Sequence, residues 1–277
     1  MKPNKAVCLA FTSVFFMLIA GCSAGDAIQS ASPSSFGISA SAAIVTQKPS
    51  QTAQAVPIPS AIVSQASASP PASPAAKTEI ADGFYYTKLD GALKKRITGM
   101  SFPKDEENAQ ISYDELRYIR LSFYDFNGRA HTDGELIVNA KLAKEVTQIF
   151  YELFQAKYPF TSIRLVDDFG EPGDDNLSMA ANNTSAFNYR YVTGTKTLSL
   201  HSFGEAIDIN PLLNPYITDG RVSPANGAKY ADRSLGLPGM ISRSDLCYKL
   251  FTQNGWKWGG DSAQDKDYQH FSKKTAS

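Results

Sequence analysis

Residues 199–215, Ser-Leu-His-Ser-Phe-Gly-Glu-Ala-Ile-Asp-Ile-Asn-Pro-Leu-Leu-Asn-Pro, hold one of only three histidines in the chain. From Ala206 to Asn210 apolar and polar residues alternate, so a strand here turns Ile207 and Ile209 to one side and Ala206, Asp208 and Asn210 to the other. Asp208 is thereby aimed away from the apolar face. His201 precedes it at His-x6-Asp spacing, and Gly204 lies between them, where a residue without Cβ lets the backbone bend and bring imidazole and carboxylate together. Any fold of this chain must accommodate that return, and the pair reads as half of a metal site.

The other half lies in residues 256–271, Trp-Lys-Trp-Gly-Gly-Asp-Ser-Ala-Gln-Asp-Lys-Asp-Tyr-Gln-His-Phe. His270 is the candidate third ligand. Asp267, three residues earlier, can then stand beside the metal as a carboxylate that takes a proton from water and returns it to a leaving amine. Asp261 and Asp265 compete for that role, but only two residues separate Asp267 from the ligand, whereas Asp261 follows Gly259-Gly260 and can serve a turn. Asp208 can ligate directly or orient a ligand from behind; its strand position favours direct ligation. Two His nitrogens and one carboxylate leave a tetrahedral Zn²⁺ one position for water, as in catalytic sites. The same ligand set describes an Fe(II) oxygenase triad, although six residues between His201 and Asp208 are more than that motif usually has. Ser199, Trp256 and Trp258 can line a cleft or serve backbone and core, and His131 receives no metal role.

The run Ser-x-His-x-x-Gly-x-Ala-x-Asp at 199–208, then Trp-Gly-Gly-Asp at 258–261 and Asp-x-x-His-Phe at 267–271, resembles the zinc peptidases of bacterial cell walls. These comprise D-Ala-D-Ala carboxypeptidases, vancomycin-resistance D,D-dipeptidases and L-alanyl-D-glutamate endopeptidases. The resemblance extends from about Arg117, through residues 134–139 and 182–190, to Phe271. It implies an α+β fold of the hedgehog/DD-peptidase type, with a small antiparallel sheet carrying the zinc site and helices packed on it. It further implies His201, Asp208 and His270 as zinc ligands, Asp267 as general base and Arg190 as the cation that stabilises the transition state. The implied substrates are peptidoglycan stem peptides, cut as a D-Ala-D-Ala carboxypeptidase cuts them or, alternatively, by an L-alanyl-D-glutamate endopeptidase. A non-catalytic, zinc-bearing wall-binding module is the rival from another class.

The rest of the chain organises around this domain. Residues 1–22 have Lys2 and Lys5, an apolar run from Ala6 to Ala20, and then Gly21-Cys22, which makes them a targeting segment. Leu18 to Cys22 looks like a bacterial lipobox, in which Cys22 becomes the lipidated N-terminus; the expectation is an exported lipoprotein, anchored through Cys22 on the outer side of the cytoplasmic membrane or in the cell envelope. Residues 23–79, rich in Ser, Ala and Pro, form a disordered linker with a coil reach of roughly 40 Å. Residues 80–277 form the single peptidase domain, read as a monomer. Lys plus Arg equals Asp plus Glu at 27 each, so no net field favours nucleic acid. Cys247 is the only thiol left in the folded domain and reads as a small buried hydrophobe.

Coarse secondary structure follows from pattern. A strand over 118–126, the turn Asn127-Gly128 and a second strand over 135–138 make a hairpin. Asn139 is placed to cap a helix with its apolar face at Leu142, Val146, Ile149, Phe150, Leu153 and Phe154. A short strand over 162–166, a helical turn at 178–182 and a last helix over 245–251 follow. The irregular stretch from 214 to 245 is assigned to the substrate cleft.

Overall fold

A computed structural model of the chain describes residues 76–275. The targeting segment, Cys22 and the linker as far as residue 75 lie outside the described residues. The first elements are β1 (Thr78–Ala81), β2 (Phe84–Thr87), α1 (Gly91–Ile97), β3 (Leu116–Tyr124), β4 (Ala130–Asn139) and α2 (Ala143–Gln155). Then come β5 (Ser162–Ile163), α3 (Asn176–Ala180), β6 (Asn183–Thr184), β7 (Ala206–Asp208), β8 (Tyr216–Thr218) and β9 (Arg221–Ser223). The last are α4 (Leu246–Gln253), β10 (Lys257–Trp258), β11 (Lys266–Asp267) and β12 (His270–Ser272). Among the described residues no helix is long and apolar enough to cross a membrane.

The largest sheet is antiparallel, in the order β1-β2-β3-β4, and its centre is the expected hairpin. The turn at Asn127-Gly128 is closed by Asp125, whose Oδ1 accepts from the backbone N–H groups of Asn127 and Arg129. Both faces of the hairpin are covered. Ile119, Leu121 and Phe123 join Leu136 and Val138 against Val146, Ile149, Phe150 and Leu153 of α2, while Leu116 and Ile137 turn to a second apolar cluster with Ile97, Phe102 and Phe187. That division follows from the two-residue period of a strand.

Two expectations need correction here. The linker ends before residue 79: Thr78 and Glu79 pair with Tyr86 and Tyr85. A sheet edge supplies backbone partners to residues with no apolar content, so composition does not mark this boundary. Asn139 does not cap α2, which starts at Ala143 with Leu142 in the cap position and no side-chain cap bond. Asn139 instead ends β4, where its Oδ1 accepts from Lys141 N and its Nδ2 donates to the Phe203 carbonyl. Its polar atoms thus tether the His201 turn to the large sheet.

A second antiparallel sheet, β10-β12-β7, lies over the same core. Ile207, Trp258 and Phe271 face inward, and Phe271 stacks on Phe251 of α4 at 4.5 Å between ring centroids. Trp256 and Trp258 are core residues; their indole N–H groups donate to Glu145 Oε1 and to the Tyr268 carbonyl. Cys247 is fully buried, and burial pushes its thiol well above its ordinary pKa, which suits a packing role. The third antiparallel sheet is β11-β8-β9, and β5 pairs with β6 in parallel. The architecture is mixed α and β, with small antiparallel sheets and helices packed on them.

Gly204 joins the two larger sheets. It ends the 3₁₀ turn Leu200–Phe203 at φ 64°, and its carbonyl accepts from Asn139 N at 2.9 Å. A Cβ there would meet Asn139 N and lie 2.7 Å from the Val138 carbonyl carbon. Gly204→Ala is therefore expected to destabilise the fold by about 2–5 kcal/mol, from a left-handed backbone cost of roughly 1–2 and an overpacking cost of roughly 1–3. A lowered urea midpoint at unchanged m-value checks this; an unchanged midpoint would show that β4 and the His201 turn do not meet as described.

Candidate metal centre and reaction cavity

Pairing between β7 and β12 sets Asp208 directly opposite His270. Residues opposed in this way carry their side chains on one face about 5 Å apart. On its other edge Asp208 exchanges both backbone hydrogen bonds with Ser185, so the carboxylate projects from backbone paired on both sides. Although it points away from the apolar core, Asp208 is only 6% exposed.

His201 reaches the same point from the short turn. Ser199 opens that turn by accepting from His201 N, and Gly204 closes it. His201 Nδ1 lies 2.5 Å from the Ala186 carbonyl. A carbonyl can only accept, so Nδ1 carries the hydrogen and Nε2 presents its lone pair to the centre. That Nε2 lies 3.2 Å from His270 Nδ1 and 3.3 Å from Asp208 Oδ2, and His270 Nδ1 is 3.1 Å from Asp208 Oδ1. The ligand atoms of the three residues all lie within 4.8 Å of one another. Electron-rich atoms converging inside a protein are stabilised by positive charge between them, from a proton or a metal ion. In chemistry and spacing the set fits a divalent metal that takes imidazole and carboxylate.

The titration behaviour has the same origin. Burial alone would raise the Asp208 carboxyl, but the charge and hydrogen bonds of His201 and His270 outweigh it and hold the group well below the carboxylate range. Burial would lower His270, and the hydrogen bond and charge of Asp208 raise it instead. The site attracts positive charge whichever species supplies it.

Asp267 stands apart from the three. It lies on β11, opposite Tyr216 of β8, and its Oδ1 is buried without a hydrogen-bond partner. Burial pushes its carboxyl up to about 6, the Asp208 charge adds to this, and His270, His201 and Arg190 offset part of it. A carboxyl poised near neutrality is suited to taking and returning a proton. Gly259 makes the position of Asp267 possible, since a Cβ there would lie 2.7 Å from Asp267 Cβ; a Cβ on Gly260 would run into the Trp258 ring. Asp261 itself turns outward to Arg243 and Tyr248, and Asp265 meets only the Tyr216 hydroxyl at 3.4 Å.

His201, Asp208, Asp267, His270 and Arg190 all line one cavity of about 780 Å³. Arg190 is held there in two ways. Its Nε and Nη2 both donate to Asp175 Oδ2, at 2.9 and 2.7 Å, and its backbone N–H and carbonyl both bond to the Ser202 hydroxyl beside His201. Asp175 and Ser202 were not legible as site residues, because the Asp174-Asp175 pair lies 15 residues from its partner in a polar stretch with no periodicity. The cleft wall also differs from expectation. Residues 172–176 and 190–193 supply much of it, whereas the stretch from 214 to 245 contributes Tyr216 and Ser223. That stretch is tied down by its own bonds: Arg233 donates to the Leu213, Tyr230 and Ile241 carbonyls and to Asn214 Oδ1. His131 lies outside the cavity, bonded to Asp125 and stacked on Phe123.

A cluster of two imidazoles and one carboxylate thus shares one cavity with a further carboxyl near neutrality and a guanidinium. Residues 193–273, less than a third of the chain, match the family model described as D-alanyl-D-alanine carboxypeptidase, which supports a peptidase. The match spans His201, Asp208, Asp267 and His270, and stops short of Arg190 and Asp175. No match was found among curated proteins or among solved structures.

The raised Asp267 carboxyl has a consequence for metal-free protein. Well below pH 3.8 the folded and unfolded chains are both protonated at this position. As pH rises, the unfolded chain ionises near 3.8 while the folded chain keeps its proton to about 6, so stability falls across that window and stays lowered above it. Chelator-treated Asp267→Asn protein should therefore be more stable than wild type at pH 7, by on the order of 2 kcal/mol. The difference should vanish as pH falls well below 3.8. Urea titrations at the two pH values measure this, and equal stability at pH 7 would contradict the burial of Asp267.

Proposed function

We propose that the protein is a zinc-dependent peptidase that hydrolyses stem peptides of peptidoglycan, acting as a D-Ala-D-Ala carboxypeptidase. The observation that carries this reading is the buried, partnerless Asp267 oxygen in the cavity that also holds the His201-Asp208-His270 centre. His201 Nε2, His270 Nδ1 and Asp208 would hold the metal. Bound there, Zn²⁺ supplies Lewis-acid polarisation of a carbonyl and a lowered pKa for water. Asp267 accepts the proton of the attacking water and delivers it to the departing amine nitrogen. Arg190, clamped through Nε and Nη2 by Asp175, retains Nη1 hydrogens for the oxygen that becomes negative as the carbonyl carbon turns tetrahedral. Ala186 keeps His201 in the required tautomer. The fold would be of the hedgehog/DD-peptidase type.

The cellular setting belongs to the same proposal. An exported lipoprotein anchored through Cys22, with a long Ser/Ala/Pro-rich linker, would hold the domain near the wall it acts on.

The test is incubation of the zinc-supplemented full chain with muropeptides ending in D-Ala-D-Ala, followed by mass spectrometry. The expected product lacks one terminal alanine, and chelator abolishes its formation. Asp267→Ala should retain the metal and lose about 10²- to 10⁴-fold in rate. Release of the L-alanine-bearing fragment would move the assignment to an L-alanyl-D-glutamate endopeptidase. Metal binding with no cleavage of any muropeptide would replace the enzyme by a wall-binding module.

A further inference from the structure

Apart from the imidazoles, the cavity is lined by two cationic side chains, Arg190 and Lys274. Arg190 is engaged by Asp175. Lys274 has no hydrogen-bond or ion-pair partner among the described residues, yet the chain on both sides of it is pinned. Lys273 N donates to the Glu205 carbonyl at 3.0 Å, and Lys273 Nζ donates to both Glu145 oxygens at 2.9 and 2.8 Å. Thr275 N and Oγ1 both donate to Glu205 Oε1, at 2.7 and 2.6 Å. An exposed lysine near a chain end usually has a loose backbone; here the backbone is anchored and only the side chain remains uncommitted.

Its direction follows from the strand. The Lys273 N to Glu205 O bond continues the β7 and β12 pairing past Ser272, and side chains two apart in extended chain share a face. Lys274 therefore lies on the face of His270, roughly 13 Å further along at about 3.3 Å per residue. Its four-carbon stem can return over roughly half of that distance. A compact ammonium at this remove from the metal centre suits an anion just beyond the scissile bond on the leaving-group side. In a peptide cut at its last bond, that anion is the terminal carboxylate.

We infer that Lys274 receives the free α-carboxylate of the substrate's C-terminal residue and so sets the preference for cleavage at a chain end. The inference deepens the peptidase reading above and rests on it for the identity of the ligand. Asp174, Asp175, Asp208 and Asp267 line the same cavity, so an anionic substrate end has few other places to go: in the proposed reaction the metal centre and the remaining Nη1 hydrogens of Arg190 are taken by the scissile carbonyl oxygen.

The experiment measures binding without turnover. Calorimetry on the zinc-supplemented full chain carrying Asp267→Ala compares an N-acylated D-Ala-D-Ala peptide with its C-terminal amide. The acid should bind about five- to tenfold more tightly than the amide, and the difference should shrink as salt is raised. Adding Lys274→Met should remove the difference, and Lys274→Arg should keep most of it. Equal affinity for acid and amide, failure of both to bind, or a preference that survives Lys274→Met would each overturn the assignment. A chain that binds the acid through Lys274 but whose wild type releases no D-alanine refutes the carboxypeptidase proposal and leaves carboxylate binding by Lys274 standing.

Discussion

The contact on which the site depends is the pairing of β7 with β12, which opposes Asp208 to His270 and leaves Ile207 and Phe271 facing the core. A slip of β12 by one residue would send His270 into the apolar interior and Phe271 into the cavity. Stacking of Phe271 on Phe251 and its packing near Trp258 therefore hold more than a core: they hold the register in which the metal-binding atoms converge. His201 is added to that pair by a tight turn, whose glycine backs onto the end of the large hairpin and whose carbonyl at Phe203 is held by Asn139.

Electrostatics within the cavity divide its carboxylates into different tasks. Asp208, between two imidazoles, is held ionised, whereas Asp267, with one oxygen buried and unpartnered, is pushed towards neutrality. The separation arises from environment alone, since the side chains are the same. Groups of one chemical kind whose pKa values are driven apart are the usual arrangement for acid-base work at neutral pH. Asp175 has a third task, the neutralisation and aiming of Arg190.

How far these features were legible differed by residue. The hairpin of β3 and β4 followed from alternation and the Asn127-Gly128 turn, and a last helix was read over 245–251, where α4 starts at Leu246 with Asp245 as its cap, accepting from Cys247 N. The placing of Asn139 as a helix cap did not hold, because its side chain is claimed by a turn 64 residues away. The cleft wall was misplaced for a similar reason. Residues 214–245 look loose by composition, but Arg233 closes them with carbonyl bonds, and the wall comes partly from residues around Asp175 and Tyr191.

By itself the sequence determined the chemistry on offer: which side chains could bind a metal, that Asp208 would oppose Ile207 and Ile209 across a strand, and that glycine was needed at 204. Those properties are local, set by residue type and by the period of extended chain. Only the tertiary structure decided which groups share a cavity, that Asp261 turns outward to Arg243, that Asp175 holds Arg190, and that Lys274, without a partner among the described residues, lines the same cavity. Such choices depend on register and burial, which arise when segments far apart in the chain pack together, and no window of sequence contains both partners.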